Sequence, residues 1–338
     1  MASEAAASWP DRPSMKMLAA GIVAGLVAWL VLGFLLRGGR LPFAQPNHRS
    51  LHHARVPHGA GIAIWAGVAA ATFWLPGWLL WAIPLGIVCA VSFWDDRRGV
   101  SVAVRLAAQV AAAVAWIVSV GSFPGAVPAL LAVLAIVWMA NLYNFMDGSD
   151  GLAATMTLIG YTAYALAGWR AHAAEATLMI AVAAATIPFL AVNWPPARAF
   201  LGDVGAVPLG FLAALLGVGG WRAQWWPAWF PVLVFLPFIA DATATLLSRL
   251  FAGRRVWEAH RDHYYQRLVR MGFGHSGTLV LYCALMLGTA GTALAALTRA
   301  PEVGEALLAL WAVALLLLFV SVGHDWRVLN GQPDANKA

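Results

Sequence analysis

The sequence predicts an all-α protein, a polytopic bundle of about eleven transmembrane helices, and three observations lead to this fold class. Hydrophobic residues make up 62% of the 338 residues, only 11% are charged, and the mean hydropathy is +0.75. A soluble domain is about one-quarter charged. Apolar runs long enough to cross a bilayer, which needs about 20 residues, recur from one end of the chain to the other. Short segments rich in Pro and Gly, such as 75–77 and 121–125, separate them and predict reversals between antiparallel helices.

Eleven apolar runs divide the chain, which we interpret as a single domain over residues 1–338 with tails at 1–16 and 324–338. The predicted spans are residues 17–36, 60–75, 78–94, 103–120, 126–142, 152–168, 175–192, 204–219, 228–248, 277–298 and 305–323. No small-residue cleavage pattern follows the first run, so it is interpreted as a spanning anchor and not as a cleaved signal.

The distribution of positive charge orients the predicted bundle. Most of the 21 lysines and arginines lie beside the loops that follow odd-numbered spans or in the C-terminal tail. The exceptions are Arg12, Lys16, Arg170, Arg222 and Arg299. Because positive residues accumulate on the cytoplasmic side, the pattern predicts an outside N-terminus, a cytoplasmic C-terminus and insertion in the inner (cytoplasmic) membrane. The net charge of +6 is therefore a topology signal and does not indicate a nucleic-acid partner.

Five aspartates fall at the predicted cytoplasmic ends of spans. Asp95 and Asp96 begin the loop after span 3, Asp147 and Asp150 lie after span 5, and Asp203 lies after span 7. Mg²⁺ takes one or two carboxylates and completes its shell with water and phosphate oxygens. The clustering therefore predicts a site for a hard divalent cation that faces the cytoplasm. The alternative, in which each Asp caps a helix or pairs with an arginine such as Arg97 or Arg98, accounts for one or two of the five.

Two basic loops on the same predicted side supply groups that suit phosphate. The loop at 254–267 contains His260, Arg261 and His263, and the loop at 46–61 contains Arg49, His52 and Arg55. Imidazole beside guanidinium suits a diphosphate, whereas the absence of cysteine and of an HExxH pattern there argues against zinc. Each loop has a plainer interpretation as well, a juxtamembrane segment that holds anionic lipid headgroups or a flexible basic loop.

Asp241 differs from the other aspartates because it lies inside predicted span 9. A carboxylate within a span is costly and is by default a functional hypothesis. The alternative is a satisfied bundle residue bonded to Thr243, Thr245 or Asn193, and we assign Asp241 no catalytic role.

The motifs resemble those of a known family in their order along the chain. The stretches are residues 46–61, 93–99, 141–152, 193–205 and 260–268, which include Asp-Asp, Asp-Gly-x-Asp-Gly, Gly-Asp-x-Gly and His-Arg-x-His. In this combination they resemble the polyprenyl-phosphate N-acetylhexosamine-1-phosphate transferases, integral membrane enzymes of the glycosyltransferase 4 group. The His-Arg-Asp-His-Tyr-Tyr-Gln-Arg-Leu sequence of 260–268 is similar to the branch that initiates O-antigen synthesis.

The resemblance implies an activity and a set of residues. The activity is transfer of a HexNAc 1-phosphate from a UDP-sugar to undecaprenyl phosphate, with release of UMP, as the first membrane step of lipid-linked glycan synthesis. The implied ligands of Mg²⁺, or of Mn²⁺ as the alternative ion, are Asp203 and Asp95. The implied catalytic residues are Asp95, Asp96, Asp147, Asp150, His260 and His263. The implied substrate-binding residues are Asn47, Arg49, His52, Asn141, Asn144, Asn193 and Arg261.

Two other classes of function stay open at this point. A proton-coupled secondary transporter would use Asp241 as a relay, although transporters place their binding residues near the bilayer midplane and often contain repeats, which this sequence lacks. A non-catalytic membrane partner in glycan assembly is the second. The identity of the HexNAc and the oligomeric state, a homodimer included, do not follow from the sequence.

Overall fold

The computed structural model describes residues 12–44, 55–121, 123–169, 171–255 and 260–331. Thirteen α-helices form the described part of the chain, and their bounds are α1 Arg12–Arg37, α2 Ile62–Thr72, α3 Leu79–Arg98, α4 Val102–Ser119, α5 Ala126–Phe145, α6 Leu152–Gly168, α7 Ala173–Asn193, α8 Asp203–Arg222, α9 Trp229–Val234, α10 Leu236–Phe251, α11 Tyr264–Leu268, α12 Gly274–Arg299 and α13 Gly304–Gly331. A π-helical segment, Val269–Phe273, joins α11 to α12. Strands β1 (Phe43–Ala44) and β2 (Val56–Pro57) pair antiparallel. The all-α architecture of a multi-pass membrane protein agrees with the prediction.

The helices follow the predicted spans with two differences. Predicted span 9 contains two helices, α9 and α10, separated at Phe235 just before Pro237. In the described residues, eight helical segments are long and apolar enough to cross a membrane, whereas α2 and α6 are shorter apolar helices. At 1.5 Å per residue, the 11 residues of α2 extend about 16 Å, which is roughly half of a hydrocarbon core. The number of helices that cross a membrane is thus not fixed at eleven.

Helix α8 forms the centre of the bundle and carries one of the predicted site residues at its start. Most of its residues are buried, and it packs on α5, α3 and α2. Close approach relies on glycine, because a Cβ at Gly210 would lie 2.3 Å from the Met139 carbonyl oxygen of α5. Small residues at helix interfaces are the usual way in which membrane helices come together. The rigid central helix therefore fixes the position of Asp203, its first residue.

A short extended segment after β2 packs against the chain that leads into α8. Phe200 N donates to Pro57 O at 2.8 Å, Ala60 N donates to Phe200 O at 3.0 Å, and Gly61 N donates to Leu201 O at 2.9 Å. These backbone bonds bring His58 and the start of α2 to the N-terminal end of α8.

Candidate active site

Asp95 and Asp203 converge on one cationic nitrogen. Arg105 Nη1, in the first turn of α4, donates to Asp95 Oδ2 at 2.7 Å and to Asp203 Oδ2 at 3.1 Å. The two aspartates are separated by more than 100 residues in sequence, and the packing of α3, α4 and α8 brings them together. Arg105 was not among the predicted site residues, although an arginine at the predicted cytoplasmic end of span 4 was the available signal.

Asp96 holds the N-terminus of α8. Its Oδ1 accepts from Asp203 N at 2.9 Å and its Oδ2 accepts from Val204 N at 3.0 Å, so it satisfies two of the amides that a helix N-terminus leaves open. His58 Nε2 lies 2.8 Å from Asp96 Oδ1. Asp95 and Asp96 were predicted to begin a loop, but α3 continues to Arg98, and the two carboxylates therefore leave the last turns of a helix. Neither Arg97 nor Arg98 pairs with Asp96, because their guanidinium groups stack on Phe93 and Trp94.

The surroundings of His58 favour its protonated form. Burial by itself would lower the pKa of His58, but the hydrogen bond and charge of Asp96, together with the charges of Asp203 and Asp95, outweigh burial and raise the pKa above its ordinary value. His58 therefore takes up a proton more readily than a free imidazole does, at a position beside the aspartate cluster.

Two glycines permit the contact between the loop and α8. A Cβ at Gly202, whose φ is +79°, would lie 2.7 Å from Asp96 Oδ2 and 2.7 Å from the Gly59 Cα. A Cβ at Gly61 would lie 2.4 Å from the Gly205 Cα. The backbone at the start of α8 thus lies directly against the backbone of Gly59 and Gly61.

Asp147 lies near the cluster, and neither it nor Asn144 has a side-chain hydrogen-bond partner in the described part of the chain. They lie at the end of α5 and just after it, and both are half-buried. Burial raises the pKa of Asp147 well above its usual range, and the charges of Asp203, Asp96 and Asp150 raise it further. Unpaired acidic and amide groups next to a carboxylate cluster are suited to bind a ligand that brings positive charge or hydrogen-bond donors.

Asp150 and Asn193 hold the Asp147–Gly151 turn against the segment after α7. Asp150 Oδ2 accepts from Ala197 N at 2.9 Å. Asn193 is buried, its Oδ1 accepts from Gly151 N at 2.9 Å, and its Nδ2 donates to Ala199 O at 2.9 Å. Both ends of the Asn193 amide are thus bonded within the protein, which gives this residue a positioning function in the structure.

His275 is a site residue that the sequence analysis missed. Its Nδ1 accepts from Asp150 N at 3.2 Å and lies 3.0 Å from Ser149 Oγ. The Gly-His-Ser-Gly sequence at the start of α12, at the same predicted face as the aspartates, was the available signal. Gln109 was missed in the same way. It is a buried amide inside α4, and its Oε1 accepts from Asn141 Nδ2 at 2.7 Å.

The histidine segment lies on the far side of the α5 end. His263 is buried and stacks on Phe145, with ring centroids 5.9 Å apart, and on His260 at 5.0 Å. Burial, together with the charges of His263 and Arg249, lowers the pKa of His260 to about 4. His260 is therefore neutral at neutral pH. Both histidines precede α11, which begins at Tyr264.

Arg249 and Asp262 fix the approach to this segment. The two side chains form a salt bridge, and Arg249 Nη2 also donates to Arg255 O at 3.1 Å. The Arg261 carbonyl accepts from Arg270 Nη1 at 3.4 Å. Asn47, Arg49 and His52, which were predicted to bind substrate, lie outside the described residues.

The aspartate cluster is suited to share a cation with a phosphate ligand. Among the described residues no three His, Cys, Asp or Glu side chains form a ready metal site. Mg²⁺ commonly binds through one or two carboxylates and takes its other ligands from water and substrate phosphate. Asp95 and Asp203 fit this mode because their oxygens already point at one positive centre, the Arg105 nitrogen.

Comparisons with known proteins identify the family of this chain. The family model for glycosyl transferase family 4 matches residues 78–220. A probable undecaprenyl-phosphate N-acetylglucosaminyl 1-phosphate transferase of Bacillus subtilis (strain 168) is 30% identical over 263 residues, 70% of this chain and 73% of the relative. An undecaprenyl-phosphate alpha-N-acetylglucosaminyl 1-phosphate transferase of Yersinia pestis is 27% identical over 317 residues, 84% of this chain and 85% of the relative. A decaprenyl-phosphate N-acetylglucosaminephosphotransferase of Mycolicibacterium smegmatis (strain ATCC 700084 / mc(2)155) is 26% identical over 80% of this chain and 79% of the relative. The chain therefore belongs to the polyprenyl-phosphate N-acetylhexosamine-1-phosphate transferases of glycosyl transferase family 4.

Proposed function

We propose that this protein transfers a HexNAc 1-phosphate from a UDP-HexNAc to undecaprenyl phosphate and releases UMP, at a site that faces the cytoplasm. The observation that carries the proposal is the convergence of Asp95 and Asp203 on one cationic centre near the unpartnered Asp147. An acceptor phosphate and a donor diphosphate both carry negative charge, and phosphoryl transfer depends mainly on positioning and on neutralising that charge.

The residues divide into four groups by what they do. Asp95 and Asp203 would hold Mg²⁺ or Mn²⁺, which supplies neutralisation of the diphosphate charge when bound. Asp96 holds the first turn of α8 and so sets the position of Asp203. Asp147, Asn144 and the Asn141 amide line the region assigned to the nucleotide-sugar. Arg261 and the two histidines of the 260–263 segment would contact phosphate oxygens.

The bond changes need no strong base. An oxygen of undecaprenyl phosphate forms a bond to the phosphorus that carries the sugar, and the bond from that phosphorus to the bridging oxygen breaks. UMP leaves with the electron pair and the negative charge. A phosphate monoester has a second pKa of about 6, so the attacking oxygen is largely ionised at neutral pH. Positioning by the aspartate cluster then accounts for the reaction without proton abstraction by Asp95 or Asp96.

An apolar groove on the membrane face of the bundle suits the polyprenyl chain. It has a volume of about 530 Å³ and runs along α5 from Pro128 to Leu142, with walls from Trp221 of α8 and Ile239 of α10. Leu142 is two residues from Asn144, so the groove ends beside the residues assigned to the donor. A flexible isoprenoid chain lying in this groove would bring its phosphate towards the aspartates.

The transporter alternative finds no support in the site. Asp241, its proposed relay, is fully buried and accepts hydrogen bonds from Tyr264 N, Tyr265 N, Thr245 and Tyr282. A relay residue needs access to a proton path, whereas these donors occupy both carboxylate oxygens.

The decisive experiment is release of UMP by the purified protein with undecaprenyl phosphate, Mg²⁺ and a panel of UDP-HexNAc donors. We expect Asp203→Asn to reduce turnover by at least about 100-fold, because it removes charge from the centre of the site. Glu175→Gln is the matched control, since Glu175 lies at the start of α7, at the opposite end of the bundle. Chelation by EDTA should abolish turnover, and Mg²⁺ or Mn²⁺ should restore it. Full activity in either Asp203→Asn or chelated protein would refute the proposal.

A further inference from the structure

Asp241 is the one acidic side chain of α10, and its surroundings differ from those of the aspartate cluster. It is fully buried, and four donors reach its carboxylate. Thr245 Oγ1 donates to Oδ1 at 3.2 Å from within the same helix, and the Tyr282 hydroxyl of α12 donates to Oδ2. The other two donors are backbone amides of α11. A buried carboxylate with this many partners is stabilised in a single geometry.

The two backbone amides of α11 that bond to Asp241 indicate the structural role of its carboxylate. Tyr264 N donates to Oδ1 and Tyr265 N donates to Oδ2, both at 2.9 Å. They are the first two amides of α11, which have no acceptor within their own helix. Asp241 therefore caps α11 from a different helix, 23 residues earlier in the chain. A second contact acts on the preceding residue, since His263 Nδ1 lies 3.4 Å from Asp241 Oδ1.

The capped segment is tied in turn to the candidate active site. The Tyr265 hydroxyl donates to Phe145 O at 2.9 Å, at the end of α5. It also lies against Gly148, where an added Cβ would be 2.2 Å from the hydroxyl oxygen. The ring of His263 stacks on Phe145 at 5.9 Å and on Tyr265 at 5.9 Å. Asp241 thus holds α11 in place, and α11 in turn contacts the end of α5 and the turn that contains Asp147.

We propose that Asp241 is a positioning residue, which anchors α11 through the Tyr264 and Tyr265 amides and so holds His263 against the Asp147 turn. The proposal rests on the proposed function, in which that turn and the histidine segment bind the nucleotide-sugar. Asp241 is itself fully buried and acts through α11 and His263. A fixed histidine segment lowers the ordering cost of donor binding, because its side chains need not be immobilised when the ligand arrives.

Asp241→Asn tests the anchor directly. An amide offers one acceptor oxygen, so one of the two backbone N–H groups would face an NH₂ group and lose its bond. We expect hydrogen exchange at Tyr264 and Tyr265, measured by mass spectrometry in detergent, to accelerate by about tenfold. We expect the KM for UDP-HexNAc to rise by about tenfold, while the KM for undecaprenyl phosphate changes by less than about twofold.

Two further variants separate positioning from a general loss of stability. Thr245→Val removes one donor from the same carboxylate and leaves both amide bonds, so exchange in α11 and the KM for UDP-HexNAc should stay at wild-type values. Tyr265→Phe keeps the cap and removes the bond to Phe145 O, so it should raise the donor KM with no change in amide exchange at Tyr264. If Asp241→Asn does not fold, Tyr265→Phe still tests whether the contact between α11 and the end of α5 affects donor binding.

The outcomes divide cleanly. Unchanged hydrogen exchange at Tyr264 and Tyr265 in Asp241→Asn would overturn the proposal that Asp241 anchors α11. A fall in kcat with both KM values unchanged would overturn it as well, because that result indicates only a smaller folded fraction. A wild-type protein without transfer activity would overturn the proposed function instead, and the exchange measurements would still decide whether Asp241 holds α11.

Discussion

The substitution Gly202→Ala tests whether the contact at the start of α8 governs both stability and activity. Gly202 has φ +79° and ψ 167°, a conformation that is essentially restricted to glycine. A Cβ there would also lie 2.7 Å from Asp96 Oδ2, 2.7 Å from Gly59 Cα and 2.8 Å from Gly59 N. Two of these three atoms belong to backbone, which cannot turn aside as the end of a flexible side chain does.

The expected magnitude follows from these two effects. Backbone strain at such a position costs about 1–3 kcal/mol. Overpacking against neighbours that cannot move adds about 1–3 kcal/mol. Gly202→Ala should therefore destabilise the protein by about 2–6 kcal/mol. Relief of the clash requires α8 to move away from Asp96, and Asp203, the next residue, moves with it.

Gly121→Ala is the matched control. Gly121 has φ +81°, and its nearest neighbour beyond the adjacent residues is Arg222 Nη2 at 4.0 Å, at the opposite end of α8. An alanine at position 121 would have the backbone strain without the steric clash. Gly121→Ala should therefore reduce the free energy of unfolding by only about 1–3 kcal/mol and leave activity intact. The assays are thermal unfolding in detergent, followed by tryptophan fluorescence, and UMP release at saturating Mg²⁺. If Gly202→Ala is no less stable and no less active than Gly121→Ala, the reasoning is refuted.

Three further predictions concern charge and hydrogen bonding. The fold raises the pKa of His58, so protonated His58 stabilises the protein fully below about pH 6.5, and this stabilisation is lost as the pH rises through the raised pKa. Thermal unfolding measured from about pH 5.5 to 8.5 should show this loss of stability in the wild-type protein and not in His58→Gln. His260 has its pKa lowered to about 4, so wild-type stability should fall between pH 6.5 and 4, and His260→Gln should flatten that slope in the same measurement. Gln109→Leu removes one of the two acceptors of Asn141 Nδ2 and leaves only Val137 O; it should raise the KM for UDP-HexNAc several-fold, which a wild-type KM would contradict.

The aspartate motifs were predictable because each lies at the end of an apolar run that is visible in the sequence. Composition and run length identify the spans, and the positive-inside rule places the boundaries on one side. The convergence of Asp95, Asp147 and Asp203 follows from three helix ends that meet in one bundle. The residues that bond to the aspartate motifs could not be predicted from the sequence in this way. Arg105 and His275 appear in sequence as single polar residues at helix starts, and only packing brings them to the cluster.

Tertiary structure also decided which structural role each aspartate has. Asp95 and Asp96 are neighbours in sequence with the same side chain, yet one meets Arg105 and the other caps α8. The difference comes from the direction in which each side chain leaves α3, about 100° apart around the helix axis. Sequence left the role of Asp241 open between a functional carboxylate and a satisfied bundle residue. The fold resolves the structural part of that question, because the amides that bind it come from a helix more than 20 residues away.

The sequence by itself determined the class of the protein, the helical segments and the set of acidic and basic groups at their ends, because burial in a bilayer requires apolar runs and tolerates charge mainly at their boundaries. It also determined the family, through the order of those motifs. Tertiary structure decided which group pairs with which, where α9 and α10 separate, and how α11 is anchored. Those features depend on distances between residues that are far apart in the chain, and local pattern does not encode such distances.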